Sequence, residues 1–195
     1  SSLSSFADDT ERYMKKIVER RVSVNASCNI DFARGSVEID PDFGVNAIEI
    51  DRIQDYLDRL LEDSEFDIDS IIVTSSCSPE GSARLNDDLS LRRSESVSRF
   101  FSRHSDAERD TILFVPRSSG ENWTMLSRLV AADTLLEDGQ KRRYTEILGI
   151  ADVDARESVL REEAFYGHIL EQHYPKLRTV RFDFHLHRKG MVKDI

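Results

Sequence analysis

Two segments near opposite ends of the chain alternate strictly between apolar and polar residues, and no other feature constrains the fold as much. Val22, Val24, Ala26, Cys28, Ile30 and Phe32 alternate with Ser23, Asn25, Ser27, Asn29 and Asp31; Val180, Phe182, Phe184 and Leu186 alternate with Arg181, Asp183, His185 and His187. A period of two sends successive side chains to opposite faces, so each segment predicts a strand buried on one side only. Ile71 to Val73 and Ile112 to Val115 are short apolar runs that suit interior strands. Between them, Ile50, Ile53, Leu57, Leu60 and Leu61 share a helical stripe, as do Leu85, Leu89, Val97, Phe100 and Phe101. Such elements predict an α+β two-layer sandwich, a mixed β-sheet with helices on one face.

Asn122 to Tyr174 breaks this rhythm. Met125, Leu126, Leu129 and Val130, then Tyr144 to Leu148, then Val159 and Leu160 form helical patches, separated by polar joins at Glu137 to Gln140 and Asp152 to Asp154. Three or four helices inserted before the final strand, over about residues 121–174, are expected. Residues 1–20 predict an N-terminal helix, Phe6 to Arg20, with Asp8, Asp9 and Glu11 early and Lys15, Lys16, Arg20 and Arg21 late, matching the helix dipole. Without an internal repeat or low-complexity linker, one domain over residues 21–188 is the economical count. The tail, 189–195, stops without a terminating signal, which predicts a further domain beyond Ile195.

Cys28 and Cys77 are the only cysteines, which excludes a four-cysteine zinc site. Both fall near strand ends and would bridge only if those strands adjoin; packed free thiols are the default. His185 and His187 share a strand face with Asp183, and the bland reading of that H-x-H pair is a solvated surface. His104, His168 and His173 lack metalloprotease spacing, and Trp123 suits a packing anchor. No metal or cofactor is expected.

Chemistry concentrates between Ile71 and Phe101, where an apolar strand enters a polar turn and then a helix. Unpaired N–H groups at a helix start attract anions, and Asn86, Ser90 and Arg93, four and three residues apart, share one helical face. Arg93 could grip a carboxylate in a bidentate fork; the bland alternative is a solvated arginine or one paired with Glu80 or Asp87. Ser78, followed by Pro79 and Glu80, has the pattern of a helix N-cap with proline at the first helical position, and Asn86 suits a turn-tying amide.

From Gly81, the offsets of Asn86, Leu89, Ser90 and Arg93 are five, eight, nine and twelve. This resembles the OmpA-like peptidoglycan-associating domain, whose signature is G-H-T-D-x-x-G-x-x-x-x-N-x-x-L-S-x-x-R-A. Phe32 to Ile39 is similar to the family's first-strand segment. Ser78 to Gly81 (SPEG), Gly120 to Trp123 (GENW) and Tyr174 to Arg178 (YPKLR) are similar to an envelope-protein branch found in Bacteroidetes. The resemblance covers roughly residues 20–188 and implies a βαβαβ-type core with the helical insertion before its last strand. It also implies a peptidoglycan site at Ser78, Glu80, Asn86, Ser90 and Arg93. Where the family has G-H-T-D, whose Asp accepts the stem's ammonium, this chain has Ser75, Ser76, Cys77 and Ser78, and a first-strand Asn falls at Gly35. Glu80, Asp87 or Asp88 would have to supply the missing carboxylate.

Composition narrows the partners. With 27 basic against 37 acidic residues the formal charge is −10, which repels phosphate backbones and excludes nucleic acid. No apolar run approaches the length of a membrane-spanning helix. The start of the chain lacks a signal-peptide pattern, so an envelope protein would be present here in processed form. Three classes remain: a non-catalytic periplasmic domain, outer-membrane associated, that binds peptidoglycan; an interaction module of an envelope or surface-appendage complex; and, least favoured for want of a nucleophile–base grouping, an enzyme.

Overall fold

The computed structural model describes residues 21–33, 35–103 and 111–190. The expected N-terminal helix, most of the tail and His104 lie outside them. Four strands, β1 (Arg21–Cys28), β2 (Phe66–Cys77), β3 (Leu113–Glu121) and β4 (Val180–Arg188), form one sheet in the order β1-β4-β2-β3. β4 runs antiparallel to both β1 and β2, while β2 and β3 are parallel. Two helices, α1 (Asn46–Leu61) and α2 (Ala83–Arg103), connect β1 to β2 and β2 to β3. The sheet is therefore mixed and the fold α+β.

Both alternating segments form strands, and they pair with each other, Cys28 opposite Val180 and Val22 opposite Leu186. Val24, Ala26, Cys28, Val180, Phe182, Phe184 and Leu186 bury one face against Ile50, Ile53, Tyr56, Leu57 and Leu60 of α1 and Val97 and Phe101 of α2. In β2 the buried side chains fall at Phe66 and Ile68, then at Ile71 and Val73. That change of parity coincides with a register shift between Ile68 and Ser70, an extra residue that returns the following side chains to the core.

Several expectations need correction. β1 ends at Cys28, four residues short of the alternation, because Asn46 captures the backbone beyond it: Asp31 N–H donates to Asn46 Oδ1 at 2.7 Å, and Asn46 Nδ2 donates to Asp31 O and Asp40 O at 2.9 and 2.8 Å. Phe32, Ala33 and residues 35–39 are accordingly loop, not strand. β3 is an edge strand rather than an interior one, consistent with Pro116, which has no N–H for a second ladder. On α2 the predicted stripe is only half right: Leu85 is 64% exposed, whereas Ser90, Ser94 and Ser98 are buried. Small side chains let this helix lie close to the sheet.

Four helices, α3 (Trp123–Ala132), α4 (Asp138–Leu148), α5 (Val153–Arg161) and α6 (Tyr166–Gln172), followed by a 3-10 turn at Tyr174–Leu177, stand between β3 and β4. The polar joins are helix starts: Gln140 Oε1 accepts the Glu137 N–H and Asp152 Oδ2 accepts the Ala155 N–H. This insertion has its own core of Leu126, Val130, Tyr144, Ile147, Leu160, Ile169, Tyr174 and Leu177. It is fastened to the end of β2, where Ser76 Oγ meets Leu177 O at 2.6 Å and Asn122 N–H donates to Cys77 O at 3.0 Å.

Candidate ligand-binding site

A cleft of about 600 Å³ opens at the C-terminal end of β2, lined by Phe32, Gly35, Cys77, Ser78, Glu80, Gly81, Asn86, Leu89, Arg93 and Arg178. Its floor is the turn from β2 into α2. Gly81 sits there at φ +78°, a left-handed conformation that side chains resist. Asn86 locks the turn: its Nδ2 donates to Ser78 O at 3.2 Å and to Glu121 Oε2 at 2.9 Å, while Glu121 Oε1 accepts from Trp123 Nε1 at 3.0 Å. The glycine, the asparagine and the GENW segment form one hydrogen-bonded unit.

Arg93 is held from the other side by the loop that Asn46 organises. Its guanidinium lies 4.7 Å from the centroid of the Phe32 ring, and its Nε donates to Ser36 O at 3.1 Å. Among the described residues no carboxylate pairs with it. Glu80 is engaged by Arg178 at 2.8 Å, Asp87 accepts from Ser118 Oγ at 2.7 Å, and Asp88 pairs with Arg92 at 3.1 Å, so the pairings expected for Arg93 do not form. Burial and the nearby Arg178 guanidinium both lower the basicity of Arg93. An anion in the cleft would relieve that repulsion.

Ser78, Glu80, Asn86 and Arg93 line one cleft, and of the three substitute carboxylates only Glu80 is among its lining residues. Ser90 stays outside: it is 1% exposed and its hydroxyl has no hydrogen-bond partner among the described residues. Ser78 does not cap α2. The helix starts at Ala83, Ser82 Oγ accepts the Leu85 N–H at 3.2 Å, and Asp154 of α5 accepts the Ala83 N–H at 2.8 Å. A carboxylate of the protein thus occupies the helix start expected to attract a ligand anion.

Arg178 was not singled out by local pattern, because it reaches the cleft from far along the chain. The bonds from Ser76 Oγ to Leu177 O and between Ser76 Oγ and the Thr179 N–H fix the backbone on both sides of it. Its Nε then donates to Ser78 Oγ at 3.3 Å. Cys77 lines the same cleft, but burial, with Glu121 and Asp87 nearby, pushes its thiol up to about 12, so it stays protonated at neutral pH.

Cys28 and Cys77 are both free and buried. β4 lies between their strands, and Cys28 and Ser75 both stand opposite Val180, so Cys28 and Cys77 are more than two strand spacings apart, over about 9 to 10 Å and beyond disulfide reach. The expected alternative of a bridge between adjoining strands is thereby excluded. His187 is 7% exposed rather than solvated and meets Asp69 Oδ1 at 2.6 Å. In the insertion, Asp133, His168 and His173 hold ligand-type atoms within 4.8 Å of one another. Both imidazole Nε2 atoms lie 2.6 Å from the same Asp133 Oδ2, which is hydrogen-bond spacing that ties the end of α3 to α6.

These features define an α+β domain whose polar cleft, at the end of its second strand, is rich in guanidinium donors. No family model matches the chain, and no curated protein matches it. Among solved structures it is similar to the OmpA-like domain of FopA1 from Francisella tularensis subsp. tularensis SCHU S4, at 12% identity and a TM-score of 0.39, over 91% of this chain and 81% of that one. Among the described residues no helix is long and apolar enough to cross a membrane.

Proposed function

We infer that this chain is a non-catalytic, OmpA-like cell-envelope domain of residues 21–188, with the helical insertion at 121–174, that holds the peptide stem of peptidoglycan in the periplasm. The observation that carries the reading is Arg93, oriented by Phe32 and Ser36 and lining the cleft with no carboxylate partner among the described residues. A stem carboxylate is the complementary group, received in a fork of N–H donors. Asn86 and Gly81 shape the floor, Ser78 offers a hydroxyl, and Glu80 is the acidic group at the rim for a stem ammonium.

Calorimetric titration with a diaminopimelate-containing stem peptide tests this. Saturable binding that Arg93→Ala abolishes, in a variant whose circular dichroism is unchanged, is the expected result. No heat from the folded native chain would overturn it. A second reading, an interaction module of an envelope complex that has lost stem binding, is favoured by the serine at position 78 and by the engagement of Glu80 with Arg178. Under that reading the insertion is the docking surface, and the titration gives no heat.

A further inference from the structure

The cleft contains two guanidinium groups in a chain whose formal charge is −10. Each retains capacity. A guanidinium offers five N–H donors in a planar fork; Arg93 uses its Nε on Ser36 O, and Arg178 uses its Nε on Ser78 Oγ and one terminal nitrogen on Glu80 Oε1. The Ser78 hydroxyl accepts from Arg178, which leaves its own hydrogen free to donate.

The surrounding acids do not neutralise this pair. Glu121 is committed to Asn86 and Trp123, and Asp87 to Ser118. Glu80 meets Arg178 at the rim, where the two side chains are 44% and 43% exposed. Solvent screens such an ion pair, and an arriving carboxylate can share or displace it. Arg178 itself is not a loose surface arginine, since the residues on both sides of it are bonded to Ser76 of β2.

The geometry points to a site for two carboxylates. Arg93 takes the carboxylate of the diamino acid, and Arg178, with the Ser78 hydroxyl, takes a second one: the free α-carboxylate of the γ-linked glutamate that precedes the diamino acid in the stem. Arg178 is then the specificity-determining residue, selecting stems whose glutamate is a free acid over those in which it is amidated to isoglutamine. Amidation removes the charge and places N–H donors against N–H donors. This inference rests on the stem-peptide reading above.

The test is calorimetric titration of the full chain with L-Ala-γ-D-Glu-meso-diaminopimelate and with its isoglutamine counterpart, for the native protein, Arg178→Gln and Arg178→Lys, with circular dichroism as the folding control. The native chain should prefer the free acid by about ten- to hundredfold, the range of a lost charge-assisted bond. Arg178→Gln should bind both peptides alike, at the level of the native chain with isoglutamine. Arg178→Lys, which keeps the charge but not the fork, should recover part of the preference. Equal affinity of the native chain for both peptides overturns the inference and leaves the stem reading standing. A preference that survives in folded Arg178→Gln also overturns it. Binding of neither peptide by the native chain overturns both.

Discussion

The Asp154 carboxylate accepts the Ala83 N–H at 2.8 Å, across 71 residues of sequence, so the insertion caps the helix that carries Asn86 and Arg93. An acidic group at a helix start satisfies an orphan donor and opposes the positive end of the dipole. Asp154→Ala should lower stability by about 1 kcal/mol, whereas Asp154→Asn, which keeps the acceptor, should lose less. Urea unfolding gives the stability, and amide hydrogen exchange should show faster opening confined to the first turn of α2. Unchanged exchange there would mean that the cap contributes nothing in solution.

Ser90 and Ser94 occupy the same face of α2, one turn apart, and are both buried, yet their hydroxyls do opposite things. Ser94 Oγ donates to Val73 O and accepts the Arg117 N–H at 3.0 Å, bridging β2 and β3. Ser90 Oγ has no partner among the described residues. Ser94→Ala should cost about 2 kcal/mol by stranding the buried Val73 carbonyl and unpairing the part-buried Arg117 N–H, whereas Ser90→Ala should be neutral or stabilising by up to about 1 kcal/mol. Thermal unfolding of the two variants decides this; equal losses would refute it. Ser90→Ala should also leave stem-peptide affinity unchanged, since Ser90 does not line the cleft.

That contrast shows how far the sequence could be read. Strands β1 and β4 were legible because a half-buried strand leaves alternation behind, and α1 because its apolar side chains return every turn. The buried face of α2 was not, because a helix lying close to a sheet uses serine where a stripe search looks for leucine. The cleft was legible from Ser78 to Arg93, whose spacing is local. Arg178 and Asn46 were not: each acts across the fold, Arg178 on Glu80 98 residues away and Asn46 on the loop behind Phe32. Only the pairing of β2 with β4 brings Arg178 to the cleft.

Both thiols should be unreactive in the native state. Burial raises Cys28 strongly and carries Cys77 up to about 12, so neither provides appreciable thiolate near neutral pH. Ellman's reagent should report almost no reactive thiol in buffer and two in denaturant, and oxidation of the folded monomer should not close an intramolecular disulfide. A bridge found by mass spectrometry of the native monomer would contradict the strand order.

Asp133 makes stability depend on acid. Its burial opposes ionisation, but hydrogen bonds from His168, the Leu135 N–H and His173 outweigh that and hold its carboxyl well below its ordinary 3.8. A carboxyl depressed in the folded state contributes stability that is fully present above its unfolded value and is lost as pH falls below it. Unfolding free energy should therefore drop as pH falls below about 4, with Asp133 accounting for about 2 kcal/mol of the drop. Asp133→Asn should flatten that part of the profile, and an identical slope in the variant would assign the acid loss to other groups.

The Asn86 amide donates to Glu121 at 2.9 Å, a bond that a carboxylate in the same shape cannot make. Asn86→Ala removes the two donors that lock the turn and should cost about 1 to 2 kcal/mol. Asn86→Asp should cost more at neutral pH, because it also sets a second negative charge against Glu121. Like-charge pairs raise the pKa of one member, so this extra penalty should shrink as pH falls through the carboxylate range, when the two groups can share a proton. Urea unfolding of both variants at pH 7 and pH 4 would show the aspartate variant converging on the alanine variant, or passing it, at the lower pH. A gap that does not change with pH would mean that Asn86 acts by shape alone, and that its bond to Glu121 does not set the floor of the cleft.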